Sequence, residues 1–198
     1  MKTMALIVVC VVIAACAAGF VIMEHRKMNV RKIALIAVMT AMSVAGRFVF
    51  AALPGFKPVT AVVVLCGMYL GADAGFICGA LSALISNCYF GQGPWTPFQM
   101  FSWGILGFIA GIIARQLREN KVVLAIYGIV SGVLFSFIMD VWTVLSKEGN
   151  FNLSRYLAAV AAAAQFTVIY AVSNVIFLLL FAKPIGKMLE RIKVKYEL

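Results

Sequence analysis

The sequence predicts an all-α integral membrane protein with seven membrane-spanning helices. Of its 198 residues, 64% are hydrophobic and 12% are charged, whereas a soluble domain averages about 45–50% apolar and about 25% charged residues. A bilayer core needs about 20 apolar residues in a helix, and the uncharged runs at 74–114 and 156–182 are long enough. These runs lack the alternation of barrel strands, so helices must satisfy the backbone hydrogen bonds in lipid.

Turn residues divide the apolar runs into separate helices. Leu53-Pro54-Gly55 ends the second helix, Gly71-Ala72-Asp73 ends the third, and residues 91–94 end the fourth because glycine and proline interrupt helices. The predicted helices cover residues 4–23, 33–52, 58–71, 74–90, 98–115, 122–146 and 157–182. No internal repeat is evident, so the inverted-repeat architecture of many secondary transporters has no support.

The basic residues predict the orientation of the chain. Their clusters at 26–32, 115–121 and 183–195 fall on one side of a seven-helix count, and short loops rich in Lys and Arg stay in the cytoplasm. The N-terminus is therefore predicted outside and the C-terminus inside. The net charge of +10 then indicates contact with anionic membrane lipids, and nucleic acid is not an expected partner.

The first predicted helix allows two interpretations. Ile13-Ala14-Ala15-Cys16 is similar to a bacterial lipoprotein cleavage site, whereas the other interpretation is an ordinary signal-anchor helix. Cleavage would place the basic residues at 26–32 outside the cell, or leave the next span alone to orient them. Either outcome conflicts with the rule that short loops rich in Lys and Arg stay in the cytoplasm. The signal anchor is therefore favoured.

The distribution of reactive side chains argues against an enzyme. The only histidine, His25, lies in a predicted cytoplasmic loop, so neither a Ser–His or Cys–His pair nor a histidine-based metal site can assemble inside the membrane. No GxxxxGK[ST] loop is present, which excludes ATP hydrolysis by that route. Asp73 and Asp140 are predicted at opposite ends of the bundle. We expect no catalytic residues, no metal and no cofactor.

A loop on the predicted outer side is the strongest binding feature. Residues 90–100, FGQGPWTPFQM, hold two glycines, two prolines and three aromatic residues. Prolines lower the entropy of ordering a loop, and aromatic and amide side chains suit a lid over a small-molecule pocket. The alternative is an interfacial turn within an aromatic belt.

Polar residues inside the predicted helices add to this candidate site. By helix rise, Arg47, Asp140 and Gln165 lie toward the outer ends of their helices, where a charge is costly unless it is paired or faces a cavity. An Arg47–Asp140 ion pair without a ligand is the alternative. The candidate substrate-binding residues are Arg47, Phe90, Gln92, Trp95, Thr96, Phe98, Gln99, Trp103, Asp140 and Gln165.

Small residues form a stripe on the second predicted helix. Ala37, Ala41 and Ala45 recur every four residues, and such a stripe lets another helix approach closely. The approaching helix belongs either to this chain's own bundle or to a separate membrane subunit. The three alanines are therefore candidate partner-docking residues.

These features resemble the substrate-binding S components of energy-coupling factor (ECF) vitamin transporters, over about residues 33–189. The resemblance rests on the alanine stripe, the Leu53-Pro54-Gly55 turn, the short helix ending in Gly71, the 90–100 loop with Trp103-Gly104, and the basic C-terminal end. It implies a six-helix substrate-binding domain at 33–189, which a basic tail follows at 190–198. The sequence departs from the usual pattern of the family at 1–32, where an additional N-terminal helix and its basic loop are predicted. The resemblance also implies a multi-pass location in a prokaryotic plasma membrane.

The resemblance extends to partners and ligand. It implies docking through the alanine stripe onto a transmembrane coupling (T) component that carries two ABC-type ATPases, with no ATPase activity in this chain. The GPWTP loop at 93–97 is most similar to the cobalamin-type group, so cobalamin or another corrinoid is the first expected ligand; a flavin, pterin or queuosine precursor would also suit. The rival classes are a stand-alone secondary transporter, for which no midplane carboxylate is predicted, and a non-catalytic scaffold.

Overall fold

A computed structural model describes residues 3–24 and 29–196, and this part of the chain is all-helical, without a strand. The all-α class is therefore confirmed. His25 lies outside the described residues. The helices are α1 (Thr3–Glu24), α2 (Val30–Val49), α3 (Val59–Leu70), α4 (Ala72–Phe90), α5 (Thr96–Ile112), α6 (Ala114–Glu119), α7 (Lys121–Glu148) and α8 (Leu153–Tyr196).

The helix lengths agree with a membrane protein. Four described helices, α2, α4, α7 and α8, are long and apolar enough to cross a membrane. Shorter apolar helical segments cover Leu6–Ala18, Val59–Leu70 and Thr96–Ile112. The number of seven spans and the orientation of the chain stay predictions.

The short helix α3 is the centre of the bundle. Its sequence VTAVVVLCGMYL is apolar on every side, and all 12 of its residues are buried. A helix that is hydrophobic all round is one that packs on all sides, and α3 contacts α2, α4, α5 and α8. The main apolar cluster is built around it, with Met39, Leu178 and Leu189 from neighbouring helices.

Glycines bring α3, α4 and α5 into backbone contact. A Cβ added at Gly107 of α5 would lie 2.6 Å from the carbonyl carbon of Gly75 in α4, and one added at Gly79 would lie 2.6 Å from the amide nitrogen of Gly104. Real Cβ atoms essentially never approach closer than 3.0 Å, so these positions require glycine. Small residues let helices approach closely, and this second set was not predicted from the sequence alongside the alanine stripe.

Two predicted helix ends differ from the structure. The helix predicted at 157–182 is α8, which continues through Pro184 to Tyr196 and so includes most of the expected tail at 190–198. Proline removes one backbone hydrogen bond, but burial of Ile185 and Leu189 in the main core holds the helix together. The helix predicted at 98–115 breaks at Ile113 into α5 and α6, and the short α6 buries Leu117.

The additional helix α1 packs beside the 90–100 loop and away from the alanine stripe. It contacts α5, α4 and α7. Val9 packs in a cluster with Phe98 and Leu145, and the Cys16 thiol lies 4.0 Å from the carbonyl oxygen of Pro97. The face of α2 that carries the alanines is therefore left uncovered by α1.

We expect Gly107→Val to destabilise the bundle strongly, because the new side chain would meet the backbone of Gly75. Overpacking of this kind typically costs about 1–3 kcal/mol. The control is Ala161→Val, which adds volume at an exposed position of α8. Thermal unfolding of the detergent-solubilised chain measures the effect; equal melting temperatures for the two variants would contradict the close packing.

Candidate substrate-binding site

A cavity of about 270 Å³ lies between α2, α5, α7, α8 and the loop that joins α2 to α3. Its wall contains three charged groups, several hydroxyl and amide groups, and four aromatic rings. This mixture is typical of a ligand site, in which apolar surface binds the ligand and a few polar groups orient it. The lining residues are Arg47, Gly55, Lys57, Gln99, Trp103, Phe135, Ser136, Met139, Asp140, Thr143, Ala163, Phe166 and Tyr170.

The structure brings half of the predicted site residues together at this cavity. Arg47, Gln99, Trp103 and Asp140 line it, although they come from α2, α5 and α7. Phe90 lies beside it, because the centre of its ring is 4.8 Å from Cζ of Arg47. Helices distant in sequence thus meet at one pocket.

The other predicted residues lie outside the wall. Thr96 is buried behind it, and Gln92 and Trp95 are exposed in or beside the loop. Phe98 is buried in the α1 contact, with its ring centre 5.4 Å from that of Trp142. Gln165 is exposed on α8. A role in ligand binding for these five residues stays a prediction.

Asn87, near the end of α4, organises the polar side of the site. Its Oδ1 accepts a hydrogen bond from Nη1 of Arg47 at 2.8 Å. Its Nδ2 donates to Oε1 of Gln99 at 2.8 Å and to Oγ1 of Thr96 at 3.0 Å. The Thr96 hydroxyl in turn donates to Oε1 of Gln92 at 2.9 Å. One buried amide therefore connects the 90–100 loop to the cavity wall.

Asn87 is not among the residues predicted from the sequence, although its position carries a signal. An amide in an otherwise apolar helix needs hydrogen-bond partners when it is buried, and Asn87 is only 1% exposed. Its position three residues before the end of α4 placed it next to the glycine-rich loop.

The two charges predicted in the spans do not pair with each other. Nη1 of Arg47 donates to the neutral side chains of Asn87 and Ser86, and within residues 29–196 no carboxylate lies within 4.0 Å of its guanidinium. Asp140 is 7% exposed, and its Oδ2 has no hydrogen-bond partner in that same range. The ligand-free Arg47–Asp140 ion pair, left open as an alternative, is therefore not formed.

Aromatic rings form a second wall of the cavity. The rings of Trp103 and Phe135 are stacked, with centres 5.2 Å apart and planes inclined by 9°. Tyr170 meets Phe135 edge-on at 5.3 Å, and Cζ of Arg47 lies 5.3 Å from the centre of the Trp103 ring. Flat apolar surface of this kind suits a planar ring ligand. Phe135 and Tyr170 were missed because nothing in their apolar helices distinguishes them.

Lys57 is the third charge at the cavity, in the loop between α2 and α3. Its backbone is fixed to α8, because its N–H donates to Oγ of Ser173 at 2.9 Å and the Ser173 hydroxyl donates to its carbonyl oxygen at 3.1 Å. Burial, and then repulsion from the Arg47 guanidinium, lower the pKa of the Lys57 ammonium. Lys57 is not among the predicted substrate-binding residues.

The alanine stripe lies on the free side of α2. Ala37, Ala41 and Ala45 are all exposed, whereas the opposite face of the helix buries Met39 and Ser43. Packing of the stripe within this chain's own bundle is therefore absent in the described residues. The face remains open for another helix.

Comparison with known families decides the class of protein. A family model described as "ECF-type riboflavin transporter, S component" matches residues 27–191. The chain belongs to this family. It is therefore a substrate-binding component of an ECF vitamin transporter rather than an enzyme, and a T component and separate ATPases are the partners of such a component. The match covers every residue of the cavity wall and leaves out the whole of α1.

No curated protein and no solved structure matches the chain. The family match supports the resemblance to S components. Its description names riboflavin, so it does not support the cobalamin-type group that the 93–97 motif indicated. The membrane-transporter family and the apolar helices together identify a multi-pass membrane protein.

We expect Asn87→Leu to lower both the stability of this S component and its affinity for the ligand. It removes the acceptor for Arg47 and the donors for Gln99 and Thr96, and leaving buried polar groups unsatisfied costs about 1–3 kcal/mol each. The melting temperature should fall, and the affinity for the ligand should fall with it. Cys88→Leu, at the adjacent exposed position, is the control; a similar loss in both variants would argue against the network.

Proposed function

We propose that this chain binds riboflavin in the cavity bounded by Arg47, Trp103 and Asp140, as the S component of an ECF-type importer. The family match carries the proposal, because its description names riboflavin and its range includes the entire cavity wall. In this proposal the ligand is captured here, and ATP hydrolysis by separate ATPases drives its release.

The chemistry of the cavity supports a flavin. Riboflavin has a flat three-ring system with carbonyl oxygens and an imide N–H, and a chain of hydroxyl groups. The stacked Trp103 and Phe135 offer a surface for the rings, since aromatic pairs favour stacked or edge-on contact. Free N–H groups of Arg47 serve the carbonyl oxygens, and Oδ2 of Asp140, which has no partner in residues 29–196, accepts a hydrogen bond from the imide or a hydroxyl.

Cavity size also favours riboflavin over the cobalamin expected from the loop motif. A corrinoid with its nucleotide is much larger than a flavin, whereas the cavity holds about 270 Å³, near the lower end of small-molecule sites. In our proposal the loop at 91–95 is a lid over the flavin, with Gln92 and Trp95 as its contacts. The hydrogen bonds from Gln92 through Thr96 to Asn87 join this lid to Arg47.

The alanine stripe is the proposed docking surface for the T component. Ala37, Ala41 and Ala45 are exposed on a helix that α1 does not cover. Helices associate in lipid mainly by close packing of small residues, so a long helix of the T component would pack here. The proposed location is a prokaryotic plasma membrane.

We expect Asp140→Leu to weaken riboflavin binding by about 10-fold or more, because a hydrogen bond to a charged group contributes about 1.5–3 kcal/mol. The ligand-free protein should be no less stable, since the variant removes a buried oxygen that has no partner in residues 29–196. Quenching of flavin fluorescence measures affinity. Glu148→Gln, which removes a carboxylate from α7 outside the cavity, is the control. Unchanged affinity in Asp140→Leu would contradict the site.

We expect Ala41→Leu to prevent assembly with the T component while leaving flavin binding intact, because Ala41 faces away from the cavity and added bulk separates packed helices. Met42→Phe adds bulk to the same helix about 100° away and should assemble normally. Co-purification with the T component and ATPases measures the difference. Normal assembly of Ala41→Leu would exclude the stripe as the docking surface.

A further inference from the structure

Helix α1 lies outside the range that the family model matches, yet its buried side chains contact the part of the bundle that carries the candidate site. Of the described side chains of α1, only Val9 and Cys16 are buried. Val9 packs with Phe98 and Leu145. The Cys16 thiol lies 4.0 Å from the carbonyl oxygen of Pro97. The buried face of α1 is therefore directed at the start of α5 and at the end of α7.

The start of α5 is also where the proposed lid ends. The lid at 91–95 joins α5 at Thr96, whose hydroxyl donates to Oε1 of Gln92 in the lid at 2.9 Å. The next two residues, Pro97 and Phe98, are those that α1 contacts. A single residue thus separates the lid from the part of α5 that α1 holds.

Helix α1 also packs behind one wall of the cavity. The cluster around Val9 includes Met139 and Trp142 of α7. Met139 lines the cavity together with Asp140 and Thr143 of the same helix. The contact with α1 therefore supports the cavity-lining segment of α7 from its other side.

The centre of the bundle packs without α1. Among the described residues, the main apolar cluster around α3 includes none from α1, and neither does the cluster that contains Trp103 and Phe135. A weaker contact with α1 therefore favours local opening at the start of α5, which requires less free energy than unfolding of the whole bundle.

We infer that α1 stabilises the closed position of the lid, with Val9 and Cys16 as positioning residues that hold the start of α5. This inference rests on the proposed function, in which the loop at 91–95 covers riboflavin. None of the described residues of α1 lines the cavity, so α1 acts on the lid and not on the ligand. Its effect is on the rates at which riboflavin enters and leaves, since lid opening can limit both steps.

The test is stopped-flow measurement of riboflavin binding to the purified full chain, with flavin fluorescence as the signal. Val9→Ala removes part of the contact with Phe98 and Leu145. We expect it to raise the association and dissociation rate constants together by about fivefold or more, because deleting buried methyl groups weakens packing. The Kd should stay nearly unchanged, since the contact of α1 does not involve the ligand and the lid opens more often in the free and the loaded protein alike.

Val11→Ala is the matched control for Val9→Ala. Val11 is 61% exposed on the same helix, so the same deletion there should change neither rate constant. Melting temperatures of both variants report their folding.

A groove of about 230 Å³ between α1 and the start of α5 allows a change in the opposite direction. Ala17 lies on its wall with Cys16, Pro97 and Met100. Ala17→Leu extends the contact of α1 into this groove, so both rate constants should fall. Ala18→Leu adds the same bulk at an exposed position outside the groove wall and should leave both rate constants unchanged.

The outcomes separate this inference from the proposed function. The inference is overturned, and the proposed function stands, if wild-type protein binds riboflavin and Val9→Ala behaves like Val11→Ala. The same holds if Val9→Ala raises the dissociation rate constant alone, because that result indicates a damaged site and not a lid that opens more often. Rate constants that do not fall in Ala17→Leu also overturn the inference. Wild-type protein that binds no riboflavin would overturn the proposed function together with the inference.

Discussion

Backbone contact among α3, α4 and α5 is the constraint on which the site depends. In lipid, burying apolar side chains between helices gains little free energy, because the lipid tails are equally apolar. Helices therefore associate by close packing and by hydrogen bonds. The glycines at 75, 79, 104 and 107 let α4 and α5 touch along their length. This contact fixes the start of α5 beside the end of α4, so that Asn87 reaches both Gln99 and Thr96. The polar wall of the cavity follows from the packing of its apolar neighbours.

Arg47 shows how a charge is held inside such a bundle when no carboxylate of residues 29–196 lies within 4.0 Å of it. Neutral acceptors on α4 bind one edge of the guanidinium, and the rings of Phe90 and Trp103 lie 4.8 Å and 5.3 Å from its Cζ. Each cation–π contact contributes about 0.5–2 kcal/mol, and the contribution is larger where water is excluded. In the proposed function, the remaining N–H groups of Arg47 bind the ligand.

Much of the fold could be predicted from the sequence. The first six predicted helices correspond to α1–α5 and α7 with ends within three residues, because apolar runs and turn residues depend on local sequence. The end of α8 could not be predicted, since Pro184 and the basic residues indicate an end, whereas distant packing of Ile185 and Leu189 continues the helix. The break at Ile113 likewise depends on where Leu117 is buried.

Only part of the candidate site could be predicted from the sequence. Arg47 and Asp140 were predictable because a charge in an apolar run is conspicuous, and Gln99 and Trp103 because they follow a loop rich in glycine and proline. Phe135 and Tyr170 were not, because an aromatic residue in an apolar helix has no distinguishing neighbours and only the tertiary fold shows which way it faces. Phe98 was assigned to the pocket from its place in the loop, whereas contact with α1 draws it into the core.

The central claim is that this S component binds a flavin, and the most direct measurement is mass spectrometry of the small molecules retained by the purified single chain. The chain would be expressed in cells grown with the common vitamins and solubilised in detergent. The account predicts a flavin at close to one molecule per chain. A corrinoid or another vitamin in its place, or a chain that stays empty after riboflavin is added back, would contradict it.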